Sequence, residues 1–531
     1  MPTIFHGQAM MQTFLSIHQD KIVGTLSMFD RMIFKGYLTG FFPKGAFGAY
    51  LWRKGVLLKD FGHYVQESTQ KLKAHIEGLA QVAGRPMEYL TSSKESKEER
   101  ARAIAEREGI TEGLVCIFSV LEPCMSFDVR GNRQSHKLEV VRRPRKCLHY
   151  YAYYLDCEFG LMPIRLQSWF PFELQIYVNG REWLARQLDQ RGIAYQRYDN
   201  KLTDIADLET AQALCERFAQ RKWLRLLNAF ARRINPFLKD LRQAGMGGYY
   251  WRLSQAEYAS DVFFRDRPTL EALLPALLET SMSAFSAEDV LRFLGRKLHG
   301  NFQGQVTTDR KKRSEGRRVK HRMKGNSIKW YDALNILRIE TTINQPREFR
   351  ILRLVETPQG RQRRWLPMGK GVANLWRYAQ VGRAANYRYL NALAFAQPTG
   401  KAIAALEGLC HPKTTHGKRY ARFNPITQAD CDLFAATLAG EHALNGFRNK
   451  HLQAYLYPTP PRSHAERHQR SAHVTRLSAK LRGYGLIAKV PGSRLYRSTP
   501  RGIQLMSAAI LCRNKTFPSF AMHCPESSRL S

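Results

Sequence analysis

His149–Gly192 reads HYYAYYLDCEFGLMPIRLQSWFPFELQIYVNGREWLARQLDQRG, and this stretch decides the fold class. HYYAYYLDCEFG and LMPIRLQSWFPFELQIYV predict two strands joined at Glu158-Phe159-Gly160. Asn179-Gly180 then turns the chain into a helix with Trp183, Leu184 and Leu188 on its apolar side. Tyr150, Tyr151, Tyr153 and Tyr154 put aromatic rings on both faces of the first strand. A sheet buried between helical layers explains them, and base stacking is the other use for such rings. Strands and helices that follow one another in blocks predict an α+β fold.

The same reading extends outward. GLVCIFSVLEP from Gly113 is a β-branched apolar run. Upstream, Ser92 and Ser93 precede a charged helix, KESKEERARAIAERE, with acids towards its start. Phe61, Tyr64, Val65, Leu72, Ile76 and Leu79 recur at helical spacing before a Gly-Arg-Pro break at Gly84. Ile22–Leu38 predicts a pair of strands turning at Asp30-Arg31. Residues 1–200 are therefore expected as one α+β domain. Residues 201–300 read as mainly helical, with stripes such as Leu208, Leu214 and Phe218. Residues 301–410 read as a basic β-rich unit followed by a helix over Val372–Phe395. His411–Arg422 is polar and basic and reads as a linker. Residues 423–514 form the last expected domain, and 515–531 a flexible tail.

A chain of 531 residues is too long for one hydrophobic core. Its 83 Lys and Arg against 45 Asp and Glu give a net charge of +38. A compact chain so charged repels itself, and a polyanion relieves that repulsion. Nucleic acid is the expected partner, DNA first, with RNA not excluded. A 44% hydrophobic content is ordinary for globular protein, which excludes wholesale disorder. No apolar run reaches the roughly 20 residues of a membrane span, and the N-terminus does not read as a signal peptide. A cytoplasmic location without a membrane partner is expected. The nine cysteines are scattered without C-x-x-C spacing, against both a disulfide scaffold and a zinc ribbon. Cys410, His411 and His416 read as incidental neighbours in a loop, so no metal ligands are assigned.

The C-terminal domain carries the clearest local pattern. Gln428–Leu438 predicts a helix with Leu433, Phe434 and Leu438 inward. GFRNKHLQAYLYP predicts a second, closed before Pro458. A third runs from about Ala465 to Gly483, with Val474, Leu477 and Leu481 buried at i, i+3 and i+7. Its other face carries Arg467, Arg470, His473, Arg476 and Lys480. GLIAKV and RLYRST predict a hairpin around Pro491-Gly492, and Thr499-Pro500 opens a final helix. RLSAKLRGYGLIAKVPGSRLYRSTPRGIQL, Arg476–Leu505, resembles winged helix-turn-helix proteins of the MarR and PadR kind, from recognition helix through wing to the next helix. The resemblance covers about the last fifth of the chain. It implies that the third helix enters the major groove and that the wing, with Arg494, touches the minor groove or backbone. The loop PTPPRSHAERHQR is longer and more basic than that pattern.

The densest charge lies in Arg310–Lys329, where only Glu315 opposes Lys311, Lys312, Arg313, Arg317, Arg318, Lys320, Arg322 and Lys324. A hairpin arm of this content can track phosphates. KWYDALNILRIETTIN, which follows, resembles a strand-turn-strand passage of some rolling-circle replication initiators. Their metal-binding pair of His around one hydrophobic residue has no counterpart here. LSMFDRMIFKGYL, LLKDFGHYV, the stretch Arg145–Gln187 and NGFRNKHLQAYL resemble bacterial proteins associated with mobile genetic elements.

An enzyme is the alternative to a binding protein: a metal-dependent nuclease, transposase or replication initiator. Asp30, Asp156, Glu158 and Glu173 are its candidate catalytic acids, and it would use Mg²⁺ or Mn²⁺. Each acid also fits a pair with an arginine, as Asp30 with Arg31 or Glu173 with Arg165. Asp332 and Glu340 form a second candidate pair, which Arg338 or Lys329 could equally neutralise.

Overall fold

The structure is a computed structural model. It describes residues 13–91, 96–295, 305–313, 316–358, 360–395, 406–415, 417–425, 427–439, 442 and 446–514. The tail expected over 515–531, together with Ser92, Ser93, Glu315 and His416, lies outside the described residues. The chain is α+β. It divides into two compact units, residues 19–270 with 290–390, and the remainder of the described chain.

The first unit is built on one sheet. Its strands are β1 (Ile22–Leu38), β2 (Met87–Tyr89), β3 (Gly113–Asn132), β4 (Lys137–Asp156), β5 (Gly160–Gln167) and β6 (Leu174–Asn179). A separate hairpin, β7 (Tyr195–Tyr198) and β8 (Lys201–Ile205), follows. The sheet then takes up β9 (Tyr249–Phe264), β10 (Val306–Arg313), β11 (Gly316–Met323), β12 (Asn326–Ala333) and β13 (Ile336–Ile343). Its order is β10-β11-β12-β13-β9-β1-β6-β5-β4-β3-β2, antiparallel except for β2 beside β3.

Three expectations are corrected here. The boundaries at 200 and 300 do not divide the sheet, because β9 lies between β1 and β13 and joins what looked like three domains. The helical middle contains this 16-residue strand, whose aromatic and apolar residues supply buried surface to the sheet. Asp30-Arg31 is not a turn. β1 continues through it as one strand of 17 residues.

Two turns read from local signals hold. At Glu158-Phe159-Gly160, Asp156 Oδ1 accepts from the amides of Glu158 and Phe159 at 2.9 and 3.1 Å. Asn179 caps the helix Gly180–Asp189, its Oδ1 accepting from the Arg181 amide at 2.9 Å. Tyr150, Tyr153 and Tyr154 are buried and Tyr151 half-buried, which fits packing between layers rather than stacking on bases.

In the second unit, helices Gln428–Leu438, Asn449–Leu456 and His464–Gly483 precede paired strands Ile487–Lys489 and Tyr496–Ser498 and the helix Pro500–Asn514. Phe447 adds a bridge to Tyr496 at the edge of that hairpin. Val474 and Leu481 are buried beside Phe423, Phe434, Leu452 and Met506, with Leu477 packed against them. Thr499 Oγ1 accepts from the Gly502 amide at 2.9 Å, the cap its position before Pro500 predicts. The turn around Pro491-Gly492 spans four residues rather than two, since the Val490 amide donates to Leu495. His411–Arg422 is not a bare linker. Lys413–Thr415 pairs with Lys418–Tyr420, and Thr415 Oγ1 donates to the Gly483 carbonyl at 3.0 Å.

Candidate functional site

A bulge in β1 sets up the site. Phe29 pairs with Tyr258 and Met32 with Ala256, so Asp30 and Arg31 together face Glu257 of β9. Such an insertion bends the strand and re-aims its side chains. Gly180 is required beside it, because a Cβ there would lie 2.1 Å from the Phe29 carbonyl oxygen. On the other flank of β9, Thr342 of β13 pairs with Glu257, and Glu340 lies two residues back. The result is convergence. One carboxylate oxygen each from Asp30, Glu257 and Glu340 lie within 4.8 Å of one another.

Basic groups neutralise most of this charge. Arg338 holds Asp261 through two bonds of 2.6 and 3.0 Å and reaches Asp30 at 3.3 Å. Its third contact is the Tyr331 hydroxyl, which accepts at 3.0 Å. Arg181 also pairs with Asp261, at 2.6 Å. Arg181, Asp261, Arg338 and Asp30 are all buried. Asn200 donates to Asp30 at 2.9 Å, and Lys329 pairs with Glu340 at 2.7 Å. Glu257 makes no ion pair among the described residues, although Arg31 and Lys329 act on it through space. Gln255 donates to it at 2.8 Å. Burial first, then the nearby carboxylates of Glu340 and Asp30, push Glu257 up to about 7.

The three acids open into a cleft of about 270 Å³ that Arg31, Lys201, Arg317, Arg318, Asp199 and Asp332 also line. The rim continues into the β10–β11 hairpin. Rows of paired residues cross the sheet on the same face: Lys311, Arg318, Tyr331, Arg338 and Asp261 in one, Asp309, Lys320, Lys329 and Glu340 in the next. The basic edge strand and the acidic cleft therefore share a face. The opposite face is covered. His321 touches the Tyr389 hydroxyl at 2.8 Å, and Thr341 donates to Asn386 at 2.7 Å, both on the helix Leu375–Ala392.

The predicted basic residues divide by partner. Arg318 and Arg322 pair with Asp309 at 2.9 and 3.2 Å, an opposing acid just outside the run read from sequence. Lys311, Lys312 and Lys324 are exposed, and Arg317 is half-buried at the cleft. Burial and the neighbouring Lys329, Arg322 and Arg318 lower the pKa of Lys320. The side chain of Arg313 lies outside the described residues. In the second unit, Arg467, His473, Arg476 and Arg494 are exposed. Arg470 instead pairs with Glu466 at 2.5 Å and lies over the Tyr457 ring. Lys480 lies 3.8 Å from the Phe423 ring centroid and pairs with Asp430. Those two cations serve the fold.

The expected acid group is not assembled. Asp156 caps its own turn on β4, three strand spacings or roughly 14 Å from β1. Glu158 pairs with Arg221 at 2.5 Å. Glu173 pairs with Lys35 at 3.1 Å, five residues and roughly 15 Å along β1 from Asp30. Asp332 does not join Glu340 as a pair. It accepts from the Arg317 amide at 2.6 Å and faces Arg267 at 3.4 Å. Of the first four candidates only Asp30 remains, joined by Glu340 and by Glu257, which sequence reasoning missed. The signal for Glu257 was the aromatic run around it, YYWRLSQAEYASDVFF. Comparison with protein-family models, curated proteins and solved structures gives no match.

Proposed function

We propose that this chain binds nucleic acid, DNA first, through two basic surfaces. One is the β10–β11 hairpin with the cleft rim behind it. The other is the exposed face of helix His464–Gly483 with the adjoining hairpin, used as a winged helix uses them. The observation that carries the reading is the cationic edge strand, where exposed Lys311 continues a sheet face already crowded with like charge and exposed Arg310 and Lys312 project from the other face. A phosphate backbone relieves that crowding and releases its own counterions. Retention on duplex DNA should fall steeply between 50 and 200 mM salt, and salt-independent retention would refute the reading.

The two surfaces should differ in what they read. Arg476 is exposed on the third helix, away from buried Val474 and Leu481. Arg476→Ala should cost about 1–3 kcal/mol on a preferred site and much less on scrambled DNA. Equal losses on both would reduce Arg476 to a phosphate contact.

A second reading is favoured by the convergence of Asp30, Glu257 and Glu340. Three hard oxygen donors fit Mg²⁺ or Mn²⁺, and an ion there would replace the proton that Glu257 holds near neutrality. Asp30, Glu257 and Glu340 would hold it, while Arg31, Arg317 and Arg318 at the rim would bind the phosphodiester. Such an ion supplies a nucleophilic water and neutralises developing phosphoryl charge. Binding requires deprotonated Glu257, so Mn²⁺ should raise the melting temperature more at pH 8 than at pH 6. At 100 times its dissociation constant the gain is about 2.7 kcal/mol. Glu257→Gln should abolish the shift. An equal shift in that variant would place the ion elsewhere.

A further inference from the structure

A two-stranded ribbon stands apart from the main sheet. It pairs β14 (Arg350–Thr357) with β15 (Gly360–Pro367) and belongs to no larger sheet. A lone hairpin is marginally stable in water and normally buries one face. This one buries little: Ile351 is enclosed, but Leu352, Leu354 and Trp365 are exposed, Leu354 and Trp365 by more than half. Pairing places them together. Leu352 lies opposite Trp365, and Leu354 opposite Arg363, on the same face. Apolar side chains on an exposed face cost solubility unless something covers them.

The charge identifies the cover. Arg361, Arg363 and Arg364 are exposed on β15, and Glu356, paired with Arg361 at 3.3 Å, is the one acid within the two strands. Arg377 lies over the Trp365 ring, 5.3 Å from its centroid, and donates to the Arg350 carbonyl at 3.0 Å. The indole is thereby held at the ribbon's surface with a cation on it. A flat ring beside arginines suits a nucleobase stacked on the ring and phosphates on the guanidinium groups. An acidic protein partner would satisfy the arginines but has no use for an oriented, half-open indole.

We infer that the β14–β15 ribbon binds single-stranded nucleic acid, with a base stacked on Trp365 and the backbone held by Arg361 and Arg363 on the same face. This rests on the nucleic-acid reading above and adds a place and a strand state to it. The test uses the full chain with fluorescein-labelled oligothymidine of 20 nucleotides, by anisotropy across a salt series. Trp365→Ala should weaken binding about 5- to 100-fold, and Trp365→Phe should restore part of the loss. Replacing Arg361 and Arg363 by Gln should lower the salt slope by about 1.4. Circular dichroism and the melting temperature of each variant report whether the rest of the chain is intact. If the wild type binds the oligomer and all variants bind equally well, the ribbon is not the contact and the wider reading stands. If the wild type binds neither oligothymidine nor duplex at low salt, both fall. If Trp365→Ala loses duplex and single strand alike, the assigned strand preference is wrong.

Discussion

Replacing Arg338 by Met should destabilise the chain by about 3–5 kcal/mol, the usual cost of removing one partner from a buried ion pair. Arg338 touches Asp261, Asp30 and the Tyr331 hydroxyl, and all three of its contacts are on or beside the cleft. Arg181 remains to hold Asp261, but Asp30 then keeps only Asn200 while facing Glu257 and Glu340. The deficit should depend on pH with a definite sign. Glu257 already has a native pKa of about 7, above its ordinary 4.5, so it binds its proton more tightly folded than unfolded. Stability from such a group falls as pH rises through that window. Losing a cation strengthens the trend, so the variant should be weakest near pH 8 and partly recover near pH 6. Adding Asp30→Asn should restore part of the loss. Urea unfolding at the two pH values measures this. A loss below about 1 kcal/mol, equal at both, would mean that Arg338 is not what balances the cluster.

Local signals in the sequence carried well and long-range ones did not. Asn179-Gly180, Thr499-Pro500 and the i, i+3, i+7 stripe of the third C-terminal helix each depend on residues a few positions apart, and each appears where expected. The order of three helices, a hairpin and a final helix in the last domain was legible for the same reason. The site was legible only in fragments. Asp30 was a candidate, but next to Arg31 it looked like a turn, since a bulge has no signature without its partner strand. Glu257 was hidden because β9 lies between helical stripes and its residues were assigned to them. Glu340 was paired with Asp332 because they are close in sequence. In the fold, Glu340 pairs with Lys329 and converges on Asp30 and Glu257, while Asp332 accepts from the Arg317 amide. Three acids separated by more than 80 residues meet because one central strand, β9, joins β1 to β13. Basic composition misled in one place, where Lys413–Tyr420 looked like a linker and is a packed hairpin.

The claim that the edge hairpin is a phosphate-tracking arm predicts the largest effect on binding. Arg310, Lys311 and Lys312 are exposed on β10, whereas Asp309 is matched by Arg318 and Arg322. Changing the three to Gln therefore leaves those ion pairs in place. Three lost phosphate contacts should lower the salt slope on duplex DNA by about 2.7. Between 50 and 200 mM salt, the wild type should then lose about 40-fold more affinity than the variant, because a fourfold change in salt is raised to that power. The measurement is the dissociation constant of both proteins for one scrambled duplex at five salt concentrations. A slope reduced by two to three, with the same change on any sequence, is the predicted result. An unchanged slope would show that the hairpin is a solvated edge and that the charge of this chain serves another surface.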